Sequence, residues 1–461
     1  MIRRAVLLVF PLLLLALALR SVASADAQER VRTGPKPSTP IEHFVVLMQE
    51  NHSFDNYFGT YPRADGVSLD VCMPVDPTDP DNNECVRPFH IGGHETADLS
   101  HIHRTQQRQY RNGAMDGFVW AHRVLGENGD LAMGYYDDRD LSFYWNVADE
   151  YVLFDRFFSS AKGGSVANHM FWMTGQAGVE SIDEDSIPPE GWGNIRTIFD
   201  LLEENGVSWK VYVQNYKPEV NFRTRGERGL KPQLIRLPLL SIPRFVDDPE
   251  LSTKIVDVEQ YYEDLRNDAL PAVSFIVPVG ASEQPPGSIS AGQLFVKRLI
   301  NALTLSSAWS TSAFMWTYDD WGGWYDHVPP PAVDQFGYGF RVPALLVSPY
   351  AKQGYVESTT LDFTSILKFI EENFHLQPLA ERDAAATSIA SAFDFTQPAR
   401  PPSIVSSVRN ETGLAIPWRA AIYGTYGMAL LVPVLVIGAA LLEMPGRPRR
   451  LPTIRISWGK R

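Results

Sequence analysis

The amino-acid sequence predicts an α/β protein with a mostly parallel central sheet that is covered by helices on both faces. Short apolar runs rich in Val, Ile and Phe alternate along the chain with segments of helical periodicity. Near-continuous apolar runs are typical of parallel strands, because both faces of such a sheet are buried. With 461 residues, the chain is long enough to bury a large core.

Five apolar runs are predicted strands, and four periodic segments are predicted helices. The predicted strands are IEHFVVLM (41–48), VSWKVYV (207–213), AVSFIVPV (272–279), SAFMWTY (312–318) and PALLVSP (343–349). The predicted helices are RTIFDLLEENG (196–206), VDVEQYYEDLRND (256–268), AGQLFVKRLINALTLS (291–306) and FTSILKFIEENF (363–374). The first helix ends on Gly206, which is typical of a C-terminal cap.

The charge of the chain limits the class of partner. A formal net charge of −13 argues against a nucleic-acid partner, since proteins that bind nucleic acids normally present a basic face. It is compatible with a phosphate substrate, because a bound cation can dominate the local field of an acidic site.

The N-terminus has the pattern of a signal peptide. Residues 1–27 begin with Arg3 and Arg4, continue with an uncharged apolar run and end with small residues. An uncleaved anchor helix is the alternative, although the apolar run is short for a span of about 20 residues. The prediction places the globular domain over residues 28–384.

The C-terminus is predicted to cross a membrane once. Residues 417–443 include an uncharged stretch long enough for a span, with a buried core helix as the alternative. The basic tail 444–461 is predicted to be cytoplasmic by the positive-inside rule, and residues 385–416, rich in Pro and Ser, to be a tether. These segments predict a single-pass protein of the cell membrane with an extracytoplasmic domain.

The chain has two cysteines. Cys72 and Cys85 are thirteen positions apart in a segment rich in Pro and Asp, which has little apolar material of its own. In an exported chain such a pair is expected to form a disulfide. A free, buried pair is the alternative.

Two predicted strands end in oxygen ligands. The strand VVLM continues into Glu50 and Asn51, and the strand AFMWTY continues into Asp319 and Asp320. Because ligands bind outside the carboxyl ends of parallel strands, these side chains are expected at one edge of the sheet. Their charges repel each other unless a cation binds, and the ligand set suits Mg²⁺, Ca²⁺ or Mn²⁺, or Zn²⁺ if a histidine joins it. For either pair alone, a solvated turn is the alternative.

The sequence resembles a known family in several blocks. QENHSFDNYFG (49–59) resembles the E-N-x-S-F-D-x-Y-F-G signature of the phosphoesterase family that contains bacterial phospholipases C and a class of acid phosphatases. Further blocks follow in the family's order, namely AMDGF (114–118), LPAVSFIVP (270–278), TYDDWGGWYDHVPPP (317–331), GFRVPALLVSPYAKQGYV (339–356) and LDFTSILKFIEENF (361–374). The resemblance covers residues 41–375 and implies an alkaline-phosphatase-like fold that hydrolyses phosphoesters at a metal ion.

The resemblance also implies roles for individual residues. The residues that match the family's metal ligands are Glu50, Asn51, Asp319 and Asp320. Ser165, in AKGGSVANHMF, matches the family's nucleophile, which also ligates the metal and forms a phosphoseryl intermediate. His101, in ADLSHIH, matches a site histidine that protonates the leaving group or binds a phosphoryl oxygen.

The chain departs from the family pattern at several positions. Gln284 and Phe363 stand where the family commonly has histidine, and His169 stands where it has arginine. We expect His169 to contact the substrate, with a structural hydrogen bond as the alternative. His327, in YDHVPPP, is also a candidate substrate contact, with a role in fixing the turn as the alternative.

The sequence therefore predicts a membrane-tethered, metal-dependent phosphoesterase of phospholipase C or acid phosphatase type, and the tether favours phospholipid. One alternative is a sulfatase or another hydrolase of the same fold, although neither Cys72 nor Cys85 follows the first strand as a sulfatase requires. The other is a degenerate member that acts as a non-catalytic cell-surface binding protein, which the missing histidines at 284 and 363 suggest. The sequence indicates no oligomeric state.

Overall fold

A mixed eight-stranded sheet forms the centre of the computed structural model, which describes residues 34–179, 182–183, 186–225 and 232–409. The strands of the described residues are β1 His43–Gln49, β2 Met73–Pro74, β3 Cys85–Val86, β4 Phe89–His90, β5 Gly134–Tyr135, β6 Val152–Phe154, β7 Trp209–Val213, β8 Ile255–Asp257, β9 Val273–Val277, β10 Ser312–Tyr318, β11 Ala344–Val347 and β12 Tyr355–Glu357. The order in the sheet is β12-β6-β11-β10-β1-β9-β7-β8, so β1 and β10 are adjacent near its middle.

The five predicted strands are confirmed as β1, β7, β9, β10 and β11, but the predicted mostly parallel sheet is corrected to a mixed one. The strand β11 runs antiparallel to both β10 and β6, whereas the other neighbouring pairs are parallel. Residues 319–343 join β10 to β11 without a helix. A parallel neighbour needs a crossover connection, usually a helix, so this connection returns the chain antiparallel.

Helices cover the faces of the sheet. Those of the described residues are α1 Phe54–Phe58, α2 His103–Tyr110, α3 Phe118–Arg123, α4 Ser142–Glu150, α5 Ser165–Thr174, α6 Ile198–Glu204, α7 Pro232–Arg236, α8 Pro243–Asp247, α9 Pro249–Ser252, α10 Glu259–Arg266, α11 Ile289–Thr304, α12 Phe363–Asn373 and α13 Glu381–Ala385. The four predicted helices are confirmed as α6, α10, α11 and α12. Gly206, just past α6, has a φ of 67°, a left-handed conformation that favours glycine.

The prediction of a membrane-crossing helix is wrong for the part of the chain that the structure describes. None of the helices there is long and apolar enough to cross a membrane. The longest of those named above, α11, has 16 residues, whereas a span needs about 20. The transmembrane helix in the predicted fold class and the predicted single-pass location in the cell membrane are therefore not supported. Residues 417–443, like 1–27 and 444–461, lie outside the described residues.

Residues 385–409, which fall in the predicted tether, contact the globular domain. Phe393 forms an isolated β-bridge with Ala351, and its ring stacks on Phe369 with centroids 5.2 Å apart. The indole nitrogen of Trp309 donates a hydrogen bond to the carbonyl oxygen of Arg400 at 3.0 Å. Residues 410–416 lie outside the described residues, and the boundary between domain and tether stays a prediction.

The predicted disulfide is confirmed. Cys72 and Cys85 are bonded, with their Cα atoms 5.3 Å apart. The bond lies beside the short antiparallel pair β2–β3, in which Met73 faces Val86 and Pro74 faces Cys85. It closes a loop that holds few apolar side chains, so the covalent link takes the place of a local core.

Two buried carboxyl groups meet between α12 and α13, and they predict a pH-dependent stability. Glu371 is 2% exposed, and the backbone nitrogen of Leu379 donates to both Glu371 and Asp383. Burial and the hydrogen bond with Asp383 raise the pKa of Glu371 to about 9. The folded protein therefore keeps a proton that the unfolded chain releases, so this pair stabilises the fold at low pH and loses that effect as the pH rises toward 9.

We expect Glu371→Gln to remove most of this pH dependence, because glutamine stays neutral. At pH 8.5 its free energy of unfolding should exceed that of the wild type by on the order of 1–3 kcal/mol, whereas at pH 4.5 the two should be similar. Urea unfolding at both pH values measures this. The control is Glu372→Gln, at an exposed neighbour that lies 4.0 Å from Lys368. Equal pH dependence in wild type and Glu371→Gln would contradict the assignment.

Candidate active site

The two acidic strand ends leave the sheet side by side, as the sequence predicts. In the parallel pair β1–β10, Gln49 lies opposite Tyr318, so Glu50 and Asp319 are the next residue on each strand. The backbone nitrogen of Asp319 donates to the carbonyl oxygen of Gln49 at 3.1 Å. Both carboxylates are buried, with Glu50 1% and Asp319 0% exposed. Two buried acids therefore lie at one edge of the sheet.

Asn51 has a backbone conformation that links the two strand ends. Its φ is 64°, in the left-handed region that asparagine tolerates better than most residues. Its backbone nitrogen donates to Oδ1 of Asp319 at 3.0 Å. Gly322 packs against this turn, and a Cβ at that position would lie 2.1 Å from the carbonyl oxygen of Asn51. The close approach therefore requires glycine at 322 and fixes the loop around Asn51.

Ser165 is the first residue of α5 and lies at this edge. It is 5% exposed, and its side chain forms a hydrogen bond with Asp319. Asn168 holds the loop that precedes the helix, because its Oδ1 accepts from the backbone of Ala161 at 2.9 Å and its Nδ2 donates to the carbonyl of Gly163 at 3.1 Å. Ser165 thus lies at the positive end of the α5 dipole, directly after a loop that Asn168 holds by hydrogen bonds.

His169 lies one turn after Ser165 on the same face of α5. Its Nε2 is 2.8 Å from Oε1 of Glu50 and 3.7 Å from Oδ2 of Asp319. The ligand atoms of Glu50, His169 and Asp319 lie within 4.8 Å of one another, and all three residues are buried. The structure therefore places His169, predicted as a substrate contact, in a candidate metal group.

Arg236, from α7, is a buried cation that the sequence patterns do not single out. Its Nε is 3.0 Å from Oε1 of Glu50. Its Nη2 donates to Oε1 of Gln284 at 2.6 Å, and its Nη1 donates to the carbonyl of Val279 at 3.0 Å. Burial raises the pKa of Glu50, but Arg236 and His169 outweigh burial, so the net shift is downward. Glu50 is therefore held ionised.

The donor atoms at this edge fit a divalent cation. Burial and the neighbouring charge of Glu50 raise the pKa of Asp319, so the two carboxylates repel each other and a cation would relieve that repulsion. Oδ1 of Asn51 and Oδ2 of Asp319 are buried and accept no hydrogen bond. Oxygen atoms of this kind, with the imidazole of His169, are ligands that Mg²⁺, Ca²⁺, Mn²⁺ or Zn²⁺ accept.

Asp320 follows Asp319 and is also fully buried. Its Oδ1 accepts a hydrogen bond from the backbone nitrogen of Gly322 at 2.8 Å. This bond fixes the turn after β10. Its predicted role as a metal ligand stays a prediction, since Asp320 is not one of the three residues whose ligand atoms converge.

His101 contacts the site through Asn51. Its Nδ1 is 2.7 Å from the carbonyl oxygen of Leu99, so Nδ1 carries a proton and Nε2 has the lone pair when the ring is neutral. The amide nitrogen of Asn51 lies 3.4 Å from that Nε2 and donates to it. The amide oxygen of Asn51 is consequently turned away from His101 and is available to a cation.

His327 takes part in a different buried network. Its Nδ1 lies 2.7 Å from Asp55 and its Nε2 lies 3.3 Å from Asp65. Arg341 is fully buried between Asp55 and Asp326, at 2.9 Å from each carboxylate. These contacts link the connection after β10, which contains His327, to Asp55 of the N-terminal motif. The predicted contact of His327 with substrate stays a prediction.

The mixed α/β fold thus carries a buried cluster of a serine, a histidine and two carboxylates at one edge of its sheet. The chain belongs to the Phosphoesterase family, whose model matches residues 41–377. Its relatives include "Phospholipase C B" of Mycobacterium tuberculosis, with 30% identity over 83% of this chain and 84% of the relative. "Non-specific phospholipase C1" of Arabidopsis thaliana is 29% identical over 77% of this chain and 71% of the relative. The chain is therefore a hydrolase that acts on phosphoric ester bonds.

Proposed function

We propose that this protein hydrolyses phosphoesters in the manner of a phospholipase C or an acid phosphatase, with Ser165 as the nucleophile. The observation that carries the proposal is the convergence of Ser165, His169, Glu50 and Asp319 in one buried cluster. The residues proposed to hold a divalent cation are Glu50, Asn51, Asp319 and His169, with Asp320 and Ser165 added on the family resemblance. A bound divalent cation would neutralise charge on the phosphoryl oxygens and lower the pKa of the serine hydroxyl.

Each residue of the site has a separate role in the proposed reaction. Ser165 Oγ forms the bond to phosphorus while the bond to the leaving oxygen breaks, and Asp319, its hydrogen-bond partner, takes the hydroxyl proton. The first turn of α5 orients backbone N–H groups toward a phosphoryl oxygen. His101 would protonate the leaving oxygen from Nε2 of a ring that carries protons on both nitrogens, which requires Nε2 to give up its 3.4 Å contact with the Asn51 amide while Leu99 keeps Nδ1 in place. Water then breaks the bond between phosphorus and Ser165 Oγ, which restores Ser165 and releases the phosphorylated headgroup of a phosphodiester or the phosphate of a monoester.

Arg236 positions Glu50 in this scheme. Its anchor, Gln284, stands where the family commonly has histidine, so the departure from the family pattern coincides with a contact that holds a proposed ligand. This favours an enzyme over the degenerate binding protein. The relatives named phospholipase C favour a phospholipid phosphodiester as the substrate.

The substrate and the cation are tested with two chromogenic esters. We expect the purified chain to release p-nitrophenol from p-nitrophenylphosphorylcholine faster than from p-nitrophenyl phosphate. EDTA should lower both rates at least about 10²-fold, because the charge stabilisation of the cation is lost. Mg²⁺, Ca²⁺, Mn²⁺ and Zn²⁺ are then added back separately to identify the cation that restores activity.

The two esters and the added metals distinguish the alternatives. Faster hydrolysis of the monoester would indicate an acid phosphatase. If neither ester is hydrolysed with any of the four cations, the non-catalytic binding protein becomes the better description. Activity that is unaffected by EDTA would contradict the proposed role of the cation.

A further inference from the structure

A second cluster of histidines and carboxylates lies outside the candidate active site and shares no residue with it. The strand β4 pairs in parallel with β5, so that His90 lies opposite Tyr135. His90 ends β4, and the turn that follows β5 contains Asp137 and Asp140. The pairing therefore brings a histidine and two carboxylates from separate segments to one end of the small sheet.

The ligand atoms in this cluster are close together. Nε2 of His90 is 2.7 Å from Oδ2 of Asp140 and 3.9 Å from Oδ1 of Asp137, and the three residues offer ligand atoms within 4.8 Å of one another. Nε2 of His94 lies 4.0 Å from Oδ1 of Asp140. In a tetrahedral zinc site, neighbouring ligand atoms are roughly 3.4 Å apart, from metal–ligand distances of about 2.1 Å. The distances within the group of His90, Asp137 and Asp140 lie on both sides of that value, whereas His94 lies outside this group and must move toward it to share an ion.

Surrounding contacts hold three of the side chains in place. The Nδ1 of His94 is 2.8 Å from Oγ of Ser290, at the start of α11, which orients Nε2 toward Asp140. Arg139 contacts the carboxylate of Asp137, with Nη2 2.6 Å from Oδ2 and Nε 2.9 Å from Oδ1. Asp140 accepts from the backbone nitrogen of Asp137 at 3.2 Å. A carboxylate has about four lone-pair sites, so Asp140 keeps free sites, whereas Asp137 accepts four hydrogen bonds from Arg139 and must release one of them to bind an ion.

We propose that His90, His94, Asp137 and Asp140 form a binding site for a divalent transition metal, with Zn²⁺ as the best fit. Two imidazoles and two carboxylates are the donors that Zn²⁺ takes, whereas Mg²⁺ and Ca²⁺ prefer oxygen alone. Four protein ligands complete a tetrahedral shell, which is typical of a structural rather than a catalytic zinc site.

A metal here would join three parts of the chain. His90 and His94 belong to the segment around β4, Asp137 and Asp140 to the turn after β5, and Ser290 to α11. Asp140 is also bound to α11 directly, because Nε2 of Gln293 donates to its carbonyl oxygen at 3.0 Å. His101 lies in the chain between His94 and β5. The site would thus stabilise the segment that carries a proposed catalytic histidine.

The proposal is tested by Co²⁺ and Zn²⁺ binding to the full chain in which Glu50→Gln and Asp319→Asn remove the candidate active-site carboxylates. We expect this metal-depleted variant to bind one equivalent of Co²⁺ with a visible absorption band of nitrogen-ligated cobalt, and Zn²⁺ to displace it. Adding His90→Gln should weaken binding at least about 10²-fold. The matched control is Asp138→Asn, at a carboxylate of the same turn that lies 3.3 Å from Arg409; it should bind as before.

Two results would overturn the site. One is the absence of a cobalt band in the variant that lacks only Glu50 and Asp319. The other is equal Co²⁺ affinity in the His90→Gln and Asp138→Asn variants. The cobalt measurement on the variant that lacks only Glu50 and Asp319 leaves the four proposed ligands unchanged. Its outcome therefore does not depend on whether the His90→Gln variant folds. A wild-type protein that binds Co²⁺ at this cluster but hydrolyses neither chromogenic ester would contradict the proposed function alone.

Discussion

Ser165→Ala is expected to lower the kcat of phosphoester hydrolysis by at least about 10⁴-fold, because alanine has no oxygen to attack phosphorus. The fold should persist. The Ser165 hydroxyl forms its hydrogen bond with Asp319 and fills little space, so its loss should change the free energy of unfolding by about 1 kcal/mol. Steady-state hydrolysis of p-nitrophenylphosphorylcholine measures the first effect, and urea unfolding measures the second.

Ser160→Ala is the matched control for this variant. Ser160 lies in the same loop and is fully buried, and its hydroxyl donates to Oδ2 of Asp362 at 2.9 Å. This variant should lose about 1 kcal/mol of stability and keep its activity within a few-fold. Acid quenching during turnover of p-nitrophenylphosphorylcholine should trap a phosphorylcholine group on the peptide that contains Ser165 in the wild type and not in Ser165→Ala. A Ser165→Ala protein that keeps a tenth of the wild-type activity would contradict the assignment of the nucleophile.

The strands were predictable because each is a local pattern, whereas their directions were not. PALLVSP is as apolar as the runs that became parallel strands, and burial on both faces follows from its central position in the sheet. Its antiparallel direction depends on the path of residues 319–343, which contact the distant Asn51 through Gly322 and the distant Asp55 through Arg341. No property of the run itself encodes that path.

Some residues of the candidate site were likewise predictable from the sequence, and others were not. Glu50 and Asp319 were predictable as strand ends, since two adjacent parallel strands must deliver them to one edge. His169 had a usable signal, because four positions after Ser165 on a helix is the same face. Arg236 had no local signal. It reaches Glu50 across the fold from α7, and only the unusual Gln284, to which it binds, points to its presence.

Asp319→Asn is expected to change activity and stability in opposite directions. Activity should fall by at least about 10³-fold, because the amide neither binds a cation as strongly as a carboxylate nor accepts the proton of Ser165. In EDTA at pH 8, however, the variant should be more stable than the wild type by on the order of 1–2 kcal/mol. Burial and the charge of Glu50 raise the pKa of Asp319, so ionising Asp319 opposes folding when no cation is bound.

The sign of the stability effect separates this site from a structural ion pair. A carboxylate whose folded pKa is raised loses its stabilising effect as the pH rises through that pKa, so the advantage of Asp319→Asn should shrink at pH 4. A saturating divalent cation should reverse the order, because it stabilises only the wild type by mass action. The control is Asp247→Asn, at an exposed acid that binds Arg223 and should change neither property appreciably. If Asp319→Asn destabilises the metal-free protein at pH 8, then Asp319 supports the fold as an ordinary buried partner, and the repulsion that a cation would relieve is absent.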